Sequence, residues 1–158
     1  MAPLRDSFTR RAALSCLAGA GLAPFVAHAQ ARPSVTMHRD PSCGCCGGWA
    51  EHLRASGFPV MVIETARLNA VKARLGVPGE LWSCHTAEVG GYVIEGHVPA
   101  AAIDKLLAQK PIARGLAAPG MPVGSPGMET GEPETFDVVL FGESGNRPFG
   151  RYRADREV

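Results

Sequence analysis

The sequence predicts an α/β fold in which the order β-α-β-α-β-β-α is followed by a C-terminal loop-and-hairpin extension. Three observations carry that prediction. Short apolar segments, "SVTMHR", "FPVMVIE" and "TAEVGGYVIEGH", have the length and composition of strands. The stretches between and after them space their apolar residues three and four apart, as helices do. Beyond Lys110 both patterns give way to a Gly/Pro-rich run, "PIARGLAAPGMPVGSPGMETGEPE", before "TFDVVLFGESGNRPFGRY" restores strand character around a Gly-Asn turn.

Residues 1–29 of the 158 read as a leader, not as part of the domain. Arg5, Arg10 and Arg11 precede the apolar run "AALSCLAGAGLAPFV" and the small-residue site Ala27-His28-Ala29, the order of a secretory signal. "TRRAAL" also resembles a twin-arginine export motif, with Ala13 where Phe is favoured. The run is shorter than the ~20 residues a spanning helix needs. The expectation is therefore a periplasmic protein with no membrane segment in its mature form, and Cys16 is discarded with the leader. Removing Arg5, Asp6, Arg10 and Arg11 leaves 13 basic and 14 acidic groups. No basic footprint remains, which excludes a nucleic-acid partner.

The first strand is "SVTMHR", where Val35 and Met37 alternate with Thr36 and His38 and Pro41 sets the limit. "GGWAEHLRASG" places Trp49 and Leu53 on one helical face and stops at Gly57, a C-cap residue. "FPVMVIE" runs on without polar interruption, as expected of a strand buried on both faces. Thr65 is placed to cap a second helix carrying Leu68, Val71 and Leu75 on one face, closed by Gly76 and Pro78. Gly90-Gly91 joins the next two strands as a hairpin. Pro99 suits the first turn of a third helix whose stripe is Ile103, Leu106 and Leu107. Strand–helix–strand at the start implies a right-handed parallel crossover, and the hairpin adds two antiparallel strands. This is the thioredoxin-like arrangement over residues 34–110. Residues 111–158 form the extension, expected to fold back on the same domain.

The chemistry is concentrated in "DPSCGCCGGW", at the mouth of the first helix. In this topology the third strand begins, and the fourth ends, at the pole where the first strand finishes. Cys43, Cys45, Cys46, Cys84, His85 and His97 are thereby brought to one end of the sheet. Four thiols at a helix N-terminus, where the dipole favours thiolate, admit several readings. Cys43 and Cys46 have the C-x-x-C spacing of a redox dithiol, which leaves Cys45 and Cys84 without a role. Two structural disulfides suit an oxidising compartment but place three partners within four residues. Zinc accepts four thiolates, although its structural sites usually come from two separated knuckles. Copper in its Cu(I) state is selected by thiolate and thioether, and Met121 and Met128 of "PGMPVGSPGME" offer two thioethers in an exposed loop. Adjacent cysteines favour sulfurs that bridge several ions. Of the remaining histidines, His38 falls on the first strand near the site and His52 on a solvated helix face; Trp49 is expected to pack the first helix onto the sheet. For His97, a role toward the metal competes with a hydrogen bond that fixes the start of the third helix.

"CGCCGGW", "SCHTAEVGGYVIEGHVPAAAI" and "GLAAPGMPVGSPGME" together resemble the CopG-type periplasmic copper-resistance proteins, a CxCC metal-binding family. The resemblance runs from Val35 to Met128 and faintly through the last hairpin. It implies a thioredoxin-like domain whose C-terminal extension helps bind metal, and a multinuclear copper cluster bridged by cysteines. It also implies a role in interconverting Cu(I) and Cu(II). On this chain the matching positions are Cys43, Cys45, Cys46, Cys84, Met121 and Met128. The partners that follow are the metal ion and copper efflux or other periplasmic copper proteins, with the chain itself a monomer. A thiol–disulfide oxidoreductase and a zinc protein remain the alternatives.

Overall fold

A computed structural model describes residues 31–158; the leader expected over residues 1–29, with Cys16, lies outside them. The elements run β1 (Val35–Arg39), α1 (Cys45–Ala55), β2 (Val60–Glu64), α2 (Leu68–Arg74), a 3-10 turn (Gly79–Leu81), β3 (His85–Val89), β4 (Tyr92–Glu95) and α3 (Ala100–Gln109). They continue as β5 (Gly115–Ala117), β6 (Thr135–Phe141), β7 (Arg147–Arg153) and β8 (Arg156–Glu157). The eight strands of the described residues form one sheet, in the order β2-β1-β3-β4-β5-β6-β7-β8. β1 pairs parallel with β2 and antiparallel with β3, and β4 pairs parallel with β5. No helix among the described residues is long and apolar enough to cross a membrane.

Alternation along the strands sorts the side chains onto two faces. Met37 and its cross-strand partner Ala87 join Val35, Val89, Ile94 and Leu116 in the larger core, with Trp49 and Leu53 of α1 and Ile103 and Leu106 of α3. The opposite face carries a smaller cluster of Val93, Ala117 and Phe141 with Leu75, Val77 and Leu81. Trp49 is fully buried, and its indole N–H donates to the Val98 carbonyl at 2.9 Å, tying α1 to the approach of α3. α1 stops where Gly57 takes a φ of +85°, beyond the reach of most L-residues. Gly90 and Gly91 both take positive φ between the paired Val89 and Tyr92, the two-residue hairpin that such glycines permit.

Four expectations need correction. β2 is an edge strand, not one buried on both faces: Met61, Val62 and Ile63 are 54%, 37% and 38% exposed. A continuous apolar run measures composition, and it cannot tell an edge from a centre. α2 begins at Leu68, later than a Thr65 cap would allow; Thr65 Oγ1 instead accepts the Arg67 N–H in a local turn. Residues 115–117, read as loop, form β5, which bridges β4 and β6. Gly115 makes that bridge possible, because a Cβ there would lie 1.7 Å from the Val93 carbonyl oxygen. Finally, His52 is not a freely solvated side chain: its Nε2 accepts the Ala100 N–H at 3.1 Å, capping α3 from α1.

Candidate metal centre

The cysteine segment is held from β1. Arg39 donates through Nη1 to the Cys43 carbonyl at 2.7 Å and through Nη2 to Glu64 at 2.5 Å, so one guanidinium pins the loop to the end of β2. Asp40 accepts the Ser42 N–H and hydroxyl, a local turn that holds its carboxyl below the usual range and delivers the chain into α1. The helix opens at Cys45 with no side-chain cap among the described residues, and the Gly47 N–H in its first turn bonds the Gly44 carbonyl at 3.3 Å. Cys43 and Cys46 are joined as a disulfide with their Cα atoms 5.7 Å apart. The four free thiols expected from the sequence are therefore two, Cys45 and Cys84. Even so, the sulfurs of Cys43, Cys45, Cys46 and Cys84 all lie within 4.8 Å of one another. Cys45 Sγ stands 3.5 Å from Cys43 Sγ and 3.9 Å from Cys84 Sγ.

A second cluster shares Cys84. Its sulfur is 3.3 Å from His85 Nδ1 and 3.0 Å from His97 Nε2, and the three ligand atoms also fall within 4.8 Å. The His97 tautomer follows from its other nitrogen. Nδ1 lies 2.7 Å from the Pro126 carbonyl, which can only accept, so Nδ1 carries the proton and Nε2 presents a lone pair to Cys84. That arrangement leaves the Cys84 S–H free to donate to His97. Both histidines are fully buried, and burial holds each below its ordinary value of 6.5, so both are neutral and able to ligate. His85 packs its ring 4.4 Å from Trp49, and its Nε2 has no hydrogen-bond partner among the described residues. Burial, followed by the neighbouring Cys45, pushes the Cys84 thiol up to about 12. Cys84 is thus protonated at neutral pH.

The extension reaches this pole through a close backbone contact. A Cβ on Gly127 would meet the Trp49 nitrogen at 2.6 Å and the Cys45 carbonyl at 2.8 Å, and one on Gly48 would lie 2.9 Å from the Gly127 Cα. Two glycines face to face let residues 126–127 rest on the first turns of α1. Met128 follows this contact directly and is half-buried, whereas Met121 is 41% exposed with a φ of +48°. His38 is on the wrong side: its cross-strand partner is Thr86, one residue out of phase with His85, which places it on the face opposite His85 and Trp49, 3.6 Å from Glu88. The hydrogen bond weighed for His97 at the start of α3 is made by His52, and His97 bonds the extension loop instead.

Sequence reasoning missed Arg39 and a buried charge network of Lys72, Thr86 and Glu95 behind Cys84. A signal for Lys72 existed. It lies four residues after Leu68 and three before Leu75, on the face those leucines bury.

Fold and donor set define the class: an α/β protein with a cysteine- and histidine-rich site able to hold a metal ion. Two solved structures, described as copper resistance protein CopG, Form 1 and Form 2, share 46% identity with this chain. Each match covers 77% of this chain and 98% of the other, with a TM-score of 0.71. Residues 81–128 also match a family described as a protein of unknown function, DUF411. No curated protein matches. The chain belongs to the CopG copper-resistance protein family.

Proposed function

We propose that this chain is a periplasmic, thioredoxin-like copper-binding protein that protects against copper, either by sequestering the ion or by interconverting Cu(I) and Cu(II). The observation that carries the reading is the sharing of Cys84 between two donor clusters, four sulfurs on one side and a Cys–His–His set on the other. Sulfur selects Cu(I), while imidazole also suits Cu(II), so the joined set serves both states of an ion that supplies one-electron chemistry when bound. Cys43, Cys45, Cys46 and Cys84 would hold copper with His85 and His97, and Met128 and Met121 would close the site from the extension. Several sulfurs within a few ångströms favour a multinuclear, sulfur-bridged arrangement. Opening the Cys43–Cys46 bond consumes two electrons and two protons and converts two sulfurs into thiols. The full sulfur set is therefore a property of the reduced protein. The leader, periplasmic location and partnership with copper efflux proteins belong to the same reading. Metal analysis and an absorption spectrum of protein purified from periplasm test it; zinc alone, with no copper-dependent bands, overturns it.

A second reading rests on the disulfide itself. A C-x-x-C bond at the start of a helix is where a thiol–disulfide oxidoreductase carries its reactive pair. A groove of about 550 Å³ lined by Arg39, Cys46, Arg54 and Glu64 adjoins it. Catalysed reduction of a protein disulfide by metal-free protein, lost in Cys43→Ser, would favour this reading over copper binding.

A further inference from the structure

Behind Cys84, on the face of the sheet away from the cysteines, three polar side chains are sealed from solvent. Lys72 is 1% exposed, and Thr86 and Glu95 are not exposed at all. Lys72 Nζ donates to Glu95 Oε1 at 2.5 Å and to Thr86 Oγ1 at 2.8 Å, and the Thr86 hydroxyl donates to Glu95 Oε2 at 2.5 Å. A buried ion pair of this kind commonly adds nothing to stability relative to apolar residues of the same size, so stability alone does not account for it. One further bond does. Glu95 Oε1 also accepts the backbone N–H of Ser83 at 2.5 Å, the residue immediately before Cys84.

Strand alternation explains the effect of this bond. Thr86 and Glu95 point to one face, and two residues from Glu95 and one from Thr86 stand the ligand candidates His97 and His85, at the same two strand ends. β3 begins only at His85, so Ser83 and Cys84 lie outside its ladder. The Gly96 N–H bonds the His85 carbonyl at 3.1 Å, which ties down His85 but not Cys84. The Ser83–Glu95 bond supplies the missing restraint. Gly96 keeps the neighbouring space narrow, since a Cβ there would lie 2.7 Å from Ser83 Oγ.

We infer that Glu95 is a positioning residue for the metal centre: through the Ser83 N–H it fixes Cys84 against His97, while the Thr86 hydroxyl orients the carboxylate and Lys72 balances its buried charge. The inference rests on the reading of Cys84 as a shared ligand.

The test separates the tether from the charges. Lys72→Met with Glu95→Gln removes both charges but keeps an oxygen to accept the Ser83 N–H. Lys72→Met with Glu95→Leu removes the charges and the acceptor. Each double variant is compared with wild type by circular dichroism, by the rate at which iodoacetamide alkylates Cys84 in metal-free protein, and by Co(II) binding to reduced protein. The Met/Gln variant is expected to match wild type within about twofold in both assays. The folded Met/Leu variant should alkylate Cys84 several-fold faster and bind Co(II) on the order of tenfold more weakly, with altered thiolate-to-metal bands. Wild-type alkylation and Co(II) spectra in the Met/Leu variant would overturn the inference. The alkylation arm needs no metal, so it decides the positioning role even if wild type binds no Co(II) and the copper reading fails. If Met/Leu does not fold, Thr86→Val with Glu95→Gln provides the arm that loosens the carboxamide; unchanged Cys84 alkylation there counts against the inference.

Discussion

His97 Nε2 lies 3.0 Å from Cys84 Sγ while its Nδ1 donates to the Pro126 carbonyl at 2.7 Å. One imidazole thus joins three parts of the chain: the entrance to β3, the exit of β4 and the extension loop. The ring is fixed in tautomer and direction before any ion arrives, and the sulfur it faces belongs to both donor clusters.

Cys84 should therefore matter as much as the CxCC segment, although it is 38 residues from Cys46. Cys84→Ser is expected to lower the copper bound per reduced chain as severely as Cys46→Ser, measured by metal analysis after desalting. Full loading of the Cys84→Ser protein would separate it from the centre.

Gly127→Ala tests how the extension is seated. The new methyl would strike the Trp49 nitrogen and the Cys45 carbonyl, at a residue whose φ is +85°. The expected cost is about 1–3 kcal/mol of stability, read by urea unfolding. Copper retention should fall with it, because Pro126 can then no longer hold His97. Gly131→Ala, with only a 3.5 Å contact to Val123, is the control and should leave copper retention unchanged.

The protein should lose stability in mild acid. Burial holds His52, His85 and His97 below their ordinary value of 6.5 in the folded state. Their contribution is fully present above pH 6.5, where the unfolded chain is also neutral. It is lost as the pH falls below 6.5, because the unfolded chain takes up protons that the folded one refuses. Urea midpoints for metal-free protein should decline from pH 7 to pH 5. His52→Gln, which removes a capping residue and no ligand candidate, should shallow that decline without changing copper stoichiometry.

The methionines are expected to act unequally. Met128 adjoins the Gly127 contact with α1, whereas Met121 is more exposed. Met128→Ala should weaken Cu(I) retention on the order of tenfold, judged against other ligand-environment changes, and Met121→Ala should weaken it less. Competition with a Cu(I) chelator measures both. Retention equal to wild type in the double variant would make the pair packing residues.

The order of strands and helices was legible because periodicity and glycine turns are local: Trp49 with Leu53, and Gly90-Gly91, declare themselves within a few residues. The convergence of Cys84 with the CxCC segment was legible too, since strand direction alone brings those ends together. What escaped depends on distant partners. β5 is three residues long and exists because β4 and β6 flank it. His52 caps a helix 48 residues away. Lys72 is buried because Glu95 and Thr86 meet it from β4 and β3, and the Cys43–Cys46 bond is one of several pairings the spacing allowed.

Reduced sulfur at this pole should select Cu(I) over zinc. That selection is tested most directly by adding equimolar Cu(I) to reduced, zinc-loaded protein and measuring both metals after desalting. Copper should displace zinc, and the displacement should fail in Cys84→Ser. Zinc retained stoichiometrically by the wild-type protein would contradict it.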